Sequence, residues 1–150
     1  MAQLLTEAYQ QYAKIFPAEW PFYLQDIMNV HSRWGDAELI VADIEKRLVG
    51  TVTLYLKKGK SSREEWPPAW AGIRLLAVRP DYRGQGIGRG LMDECIWRCR
   101  KAGVKTLGLH TTEFMDIARG MYERMGFQRV PEFDFHPTSN VTVMAYRLEL

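Results

Sequence analysis

Leu75-Leu76-Ala77-Val78-Arg79-Pro80-Asp81-Tyr82-Arg83-Gly84-Gln85-Gly86-Ile87-Gly88-Arg89-Gly90-Leu91 joins an apolar run, a proline, a glycine-rich turn and the start of a helix. Glycine reaches backbone conformations that other residues avoid, and it lets a ligand come close to the main chain. A turn that aims successive N–H groups at one point, just ahead of a helix N-terminus, is a site for an anion. A phosphate or pyrophosphate is the natural occupant. The glycine register decides between owners. A P-loop requires Gly-x-x-x-x-Gly-Lys-Ser/Thr, and no lysine–serine pair follows here. A dinucleotide turn requires Gly-x-Gly-x-x-Gly, but the sixth position is Arg89 counted from Gly84 and Leu91 counted from Gly86. The pattern that does fit is Arg/Gln-x-x-Gly-x-Gly/Ala, matched by Arg83-Gly84-Gln85-Gly86-Ile87-Gly88.

The flanking sequence supplies the frame. Residues 71–78 read as a largely apolar, central strand. Residues 87–103 read as a helix with Ile87, Leu91, Cys95 and Cys99 on one face and Gly103 as its cap. Residues 105–111 read as the next strand. Strand, helix, strand at this spacing makes the two strands parallel. A further helix is expected over 113–125, closed by Gly126, then strands over 127–135 and 141–150. Pro131 marks a break or edge in the first, and His136-Pro137-Thr138-Ser139-Asn140 a turn between them.

Upstream, residues 3–15 carry Leu4, Leu5, Ala8, Tyr12 and Ile15 at helical spacing, and Pro17 ends the run. Residues 19–32 read as a second helix, with Trp20, Phe22, Leu24, Ile27, Met28 and His31. Trp20, Phe22 and Tyr23 suit core packing and a substrate-pocket wall equally. Strands over 38–43 and 48–56 form a hairpin through Glu45-Lys46, with Gly50 marking a bulge or close approach. The 57–70 loop carries solvated lysines, and it places Glu64, Glu65, Trp66 and Trp70 where they can serve substrate access.

The segment Leu76 to Gly88 resembles motif A of the GNAT superfamily of acyl-CoA-dependent N-acetyltransferases. Met121-Tyr122-Glu123-Arg124-Met125-Gly126-Phe127 is similar to the ending of motif B, Leu-Tyr-x-x-x-Gly-Phe. The resemblance covers about residues 35–150 well, and the first two helices by layout. It implies an α/β (α+β) fold, a single GNAT-like domain over residues 1–150. Its sheet is mixed and mostly antiparallel, splayed at a central parallel pair and flanked by helices.

The resemblance also implies acetyl-CoA as co-substrate. Backbone N–H groups of Arg83, Gly84, Gln85, Gly86, Ile87, Gly88 and Arg89 would hold its pyrophosphate, with the arginine charges adding to the attraction. The pantetheine arm would pair like an extra strand with Leu76, Ala77 and Val78. A backbone N–H near Leu76 or Ala77 would polarise the thioester carbonyl. Tyr122 would protonate the leaving thiolate as general acid. Many relatives place a glutamate on the strand before the turn, and this strand has none. His110, as base or substrate contact, and Glu113 are the candidates near the end of the parallel strand. Relatives often carry an asparagine seven residues before the tyrosine, where this chain has Met115. The superfamily usually opens with an edge strand, and this sequence begins almost inside its first helix: either that strand is missing or the start of the sequence is short. An uncovered edge invites a second copy, hence a homodimer.

Composition sets the bounds. The chain has 150 residues, 47% of them apolar, which suits one domain with a real core. A net charge of +2 is too small to argue for nucleic acid. No apolar run approaches the ~20 residues of a membrane helix, and the N-terminus lacks the basic start of a signal peptide. Two cysteines four apart read as core thiols rather than a disulfide or metal pair, which suits a reducing cytoplasm. The expected function is therefore acetyl transfer to a primary amine, a small molecule before a peptide, by direct attack and without a metal. The aromatics with Glu64, Glu65 and Asp134 suit a cationic or aromatic amine. The alternative is a non-catalytic acyl-CoA-binding sensor on the same fold.

Overall fold

The computed structural model describes residues 1–57 and 66–150. Glu64 and Glu65 lie outside the described residues. The helices are α1 (Ala2–Tyr9), α2 (Trp20–Met28), α3 (Ile87–Lys101) and α4 (Asp116–Arg124). The strands are β1 (Glu38–Ile44), β2 (Arg47–Tyr55), β3 (Ala71–Val78), β4 (Thr106–Thr112), β5 (Gln128–Arg129), β6 (Phe135–Thr138) and β7 (Val141–Glu149). They form one sheet in the order β1-β2-β3-β4-β7-β5, with β6 also on β7. Every pairing is antiparallel except β3 with β4. No described helix is long and apolar enough to cross a membrane.

The parallel pair opens as expected. β3 and β4 pair only at Ala71↔Leu107, Gly72↔Gly108 and Ile73↔Leu109, although both strands run on. Just past that point β3 bulges. Thr53 faces Arg74 and Thr51 faces Ala77, so Leu75 and Leu76 together oppose Val52. Leu75 takes φ +56°, a left-handed conformation rare for a branched side chain. The extra residue inverts the alternation of faces. Ala71, Ile73 and Leu76 pack with α3 and α4, whereas Leu75 and Ala77 pack with α1 and α2. One bulge thus divides the core between the two sheet faces and turns β3 away from β4.

Several expectations are refined. The first helix is α only to Tyr9, and residues 10–14 tighten into a 3₁₀ helix. Ile15 is consequently exposed, while Tyr9, absent from the predicted stripe, is buried. The second helix ends at Met28, and Val30–Arg33 form a 3₁₀ turn started by Asn29. Phe22 and Met28 face solvent rather than the core. The strand expected over 127–135 is two strands. Pro131, which has no N–H to donate, opens a 3₁₀ turn over Pro131–Phe133 between β5 and β6. The turn expected over 136–140 shrinks accordingly, because β6 runs to Thr138. The helix expected from 113 begins at Asp116. Gly50 marks both a register shift in β1–β2 and a close approach, since a Cβ there would lie 2.9 Å from Ile87 Cγ2.

Candidate active site

The glycine turn is built to leave donors open. Pro80–Tyr82 make one 3₁₀ turn, Gly84 and Gly86 take φ +76° and +81°, and Gly86 caps α3. Gly90 N–H returns to the Gly86 carbonyl at 2.9 Å. No backbone carbonyl among the described residues accepts the N–H groups of Gly84 through Arg89. Gly84, Gln85 and Gly86 are exposed, and nothing lies within 4 Å of a Cβ added at either glycine. A row of unengaged donors at the positive end of a 15-residue helix fits a pyrophosphate.

The two arginine side chains do other work. Arg83 donates to the Ala8 carbonyl at 2.9 Å, to Gln11 at 3.1 Å and to the Val78 carbonyl at 3.3 Å. Arg89 pairs with Asp93 one turn on. Arg79 donates to the Leu48 carbonyl and pairs with Glu7, whose carboxyl it holds below the usual range. The arginine side chains at 79 and 83 therefore fasten α1 to the turn.

At the opened edge, alternation fixes which groups face the gap. Arg79 N–H bonds to the Val49 carbonyl and Ala77 stands opposite Thr51, so both turn their polar groups to β2. Leu76 and Val78 turn theirs to the gap. From the α1 side, Tyr9 donates its hydroxyl to the Leu76 carbonyl at 2.9 Å. Tyr9 was missed in the sequence because this bond spans 67 residues. Tyr9 also contacts Tyr12 and Tyr23 at 5.9 Å between ring centroids.

Tyr122 reaches the same region from α4. It is buried against the α3 core, and burial, then the nearby Tyr12, pushes its hydroxyl well above the ordinary tyrosine range. The hydroxyl therefore keeps its proton at neutral pH. The motif around it is a helix cap. Phe127 N–H bonds to the Tyr122 carbonyl at 3.0 Å, Gly126 takes φ +95°, and the Tyr122 and Phe127 rings meet at 5.8 Å. That is a Schellman ending with its apolar contact. Met115 packs with the α1–α2 cluster rather than leaving a polar side chain at the gap.

His110 is the first β4 residue past the parallel pairing. Its Nε2 lies 2.9 Å from the Phe133 carbonyl, which can only accept, so Nε2 is the donor. The imidazole stacks on Trp66 at 4.5 Å and meets the edge of Phe135 at 5.1 Å. Trp66 lies flat over Gly72 and Gly108, where added Cβ atoms would stand 2.9 Å from the indole. This pair of facing glycines explains why the tryptophan is buried rather than open to substrate. Glu113 sits exposed in the turn after β4. Asp134 is committed elsewhere. It takes both guanidinium nitrogens of Arg129 at 2.7 and 2.6 Å and the Ala145 N–H at 2.8 Å. Arg129 holds its carboxyl below the usual range. Burial pushes the Cys95 and Cys99 thiols up to about 12 and about 11, so neither is a ready nucleophile.

The model of the Acetyltransferase (GNAT) family matches residues 5–127. The chain belongs to this GNAT family. Among its curated relatives, "Probable N-acetyltransferase camello" of Xenopus laevis is 30% identical over 129 residues, 83% of this chain and 56% of that protein. The [ribosomal protein bS18]-alanine N-acetyltransferase of Escherichia coli is 36% identical over 66 residues, 43% of this chain and 45% of that protein. The chain spans about half the length of these two relatives. In fold, this GNAT chain is similar to the PaiA N-acetyltransferase of Thermoplasma acidophilum, solved with coenzyme A. The TM-score is 0.71 at 17% identity, covering 99% of this chain and 90% of that one.

Proposed function

We propose that this GNAT chain moves the acetyl group of acetyl-CoA to a primary amine by direct attack, with both substrates bound together. The observation that carries the reading is a single strand–turn–helix. It joins a bulged, unpaired strand edge at Leu76–Val78 to a turn whose N–H groups from Gly84 to Arg89 have no backbone acceptor among the described residues. In this reading those N–H groups meet the pyrophosphate, and the gap-side N–H of Leu76 polarises the thioester carbonyl. The amine nitrogen bonds to the acetyl carbon. The C–S bond breaks with its electron pair on sulfur, and Tyr122 protonates the thiolate. The amine proton leaves through water, His110 or Glu113. Holding both reactants in register supplies effective molarities of roughly 10⁵ M or more.

The acceptor is read from the α1–α2 side of the sheet. Asp26 is paired with Arg74 at 3.0 Å and Asp134 with Arg129, so these carboxylates are already matched. Tyr9, Tyr12, Tyr23 and Trp20 make one aromatic cluster there, while Trp70 packs separately with Trp66 and Phe133. We therefore favour a small amine with an aromatic or apolar body.

The test is an acceptor screen with acetyl-CoA and mass detection. Its panel holds arylalkylamines, polyamines, amino acids and a peptide with an N-terminal alanine. An acetylated arylalkylamine is the expected product. Acetylation of the peptide alone would move the acceptor class. Acetyl-CoA binding without turnover on any amine would leave a sensor.

A further inference from the structure

We propose that Tyr9 is a positioning residue, holding residue 76 by its carbonyl so that the N–H of Leu76 stays aimed into the opened gap. The inference rests on the reading that this N–H meets the thioester carbonyl.

The residue that must be held follows a strained one. Leu75 sits at φ +56°, and a branched side chain persists there only where its surroundings over-determine the backbone. On one side β2 does this, through Thr53 with Arg74 and Thr51 with Ala77. On the other side β4 has already left, since its last pair is Ile73↔Leu109. No ladder bond from β4 therefore fixes residue 76. The Tyr9 hydroxyl stands in for the missing strand, donating to the Leu76 carbonyl at 2.9 Å.

Tyr9 is itself well anchored. It is 8% exposed, its helix is tied to the turn through Arg83 on the Ala8 carbonyl and Arg79 on Glu7, and its ring rests on Tyr12 and Tyr23. Burial raises its hydroxyl well above the ordinary tyrosine range, so it remains a donor. Because the N–H and C=O of one strand residue point to the same side, a clamp on the carbonyl of residue 76 also sets its N–H. The hydroxyl makes no claim on that N–H.

The test reads the carbonyl itself. Infrared difference spectra of ¹³C-carbonyl acetyl-CoA bound to the whole chain are compared for wild type and Tyr9→Phe. Circular dichroism checks the fold, and calorimetry measures the affinity for acetyl-CoA. The wild type is expected to shift the bound thioester stretch below its solution frequency. Tyr9→Phe is expected to lose most of that shift while affinity stays within about threefold. Placing 4-aminophenylalanine at position 9 keeps a donor on the ring and should restore the shift. If the Phe variant does not fold, 4-fluorophenylalanine fills the hydroxyl's volume with no proton to donate and carries the comparison. An equal shift in the wild type and the donor-less variant overturns the role of Tyr9 and leaves the oxyanion reading standing. No shift in the wild type overturns that reading, and this inference with it.

Discussion

Tyr122 takes part in two structures at once. Its carbonyl accepts the cap bond from Phe127, and its ring packs against Phe127 and the α3 core. Only the hydroxyl is left for chemistry. Tyr122→Phe keeps the cap and the ring, so it isolates the acid. Turnover with the amine that the screen returns should fall about 10²-fold or more, with the KM for acetyl-CoA little changed. Steady-state kinetics check this, and equal turnover would return Tyr122 to a packing role. Burial raises the Tyr122 hydroxyl above its ordinary value of 10, so the proton is retained as pH rises through that value. The alkaline limb of the wild-type pH–rate profile should therefore lie above pH 10 if Tyr122 sets it. The same burial makes Tyr9 hard to read from sequence. A period-3.6 stripe predicts Tyr12 and Ile15 on the buried face. The switch to a 3₁₀ helix after Tyr9 changes the angular step per residue, and Ile15 swings out to solvent.

At the scale of elements, the turn between β3 and α3 was legible almost in full. Proline stops a strand, glycine permits positive φ, and a helix must begin where the apolar period changes; all are local rules. Gly86→Glu tests the element. The new side chain would sit at φ +81°, where a residue other than glycine costs roughly 1–2 kcal/mol. Its charge would stand at the open N–H groups where the pyrophosphate is proposed to bind. Acetyl-CoA affinity, measured by calorimetry, should be lost, and an unchanged Kd would remove the pyrophosphate assignment. The β5–β6 region was less legible. The sequence reads as one strand over 127–135 with Pro131 as a break or edge, and the proline does divide it, into β5 and β6 with a 3₁₀ turn between. That break folds Asp134 back onto Arg129, five residues earlier. A carboxylate expected to face substrate is thereby committed to holding β7.

For the whole molecule, the Arg129–Asp134 pair ties the last strands to the sheet through the Ala145 N–H. The Asp134 carboxyl is held below its unfolded value, mainly by the hydrogen bond from Arg129. Its contribution is therefore present above the unfolded pKa of about 4 and is lost as pH falls through the folded one. Asp134→Asn should cost about 1–3 kcal/mol at pH 7, and the gap to wild type should close towards pH 3. Denaturant midpoints at the two pH values check it. A constant gap would show that shape rather than charge matters there.

By itself the sequence determined the run of elements through α4, the parallel pair around α3 and the two family motifs. Each rests on short-range periodicity, turn chemistry or spacing within one segment. Tertiary structure alone decided that Tyr9 reaches the Leu76 carbonyl, that Trp66 lies on Gly72 and Gly108, and that Asp134 is occupied by Arg129. The first depends on a bond between residues 67 apart, the second on two strands that bring Gly72 and Gly108 side by side under one indole, and the third on a turn that bends a predicted strand back on itself. Leu75–Leu91 thus carries the proposed anion site in its own local order, whereas the bond from Tyr9 to the Leu76 carbonyl exists only once α1 is packed on the sheet.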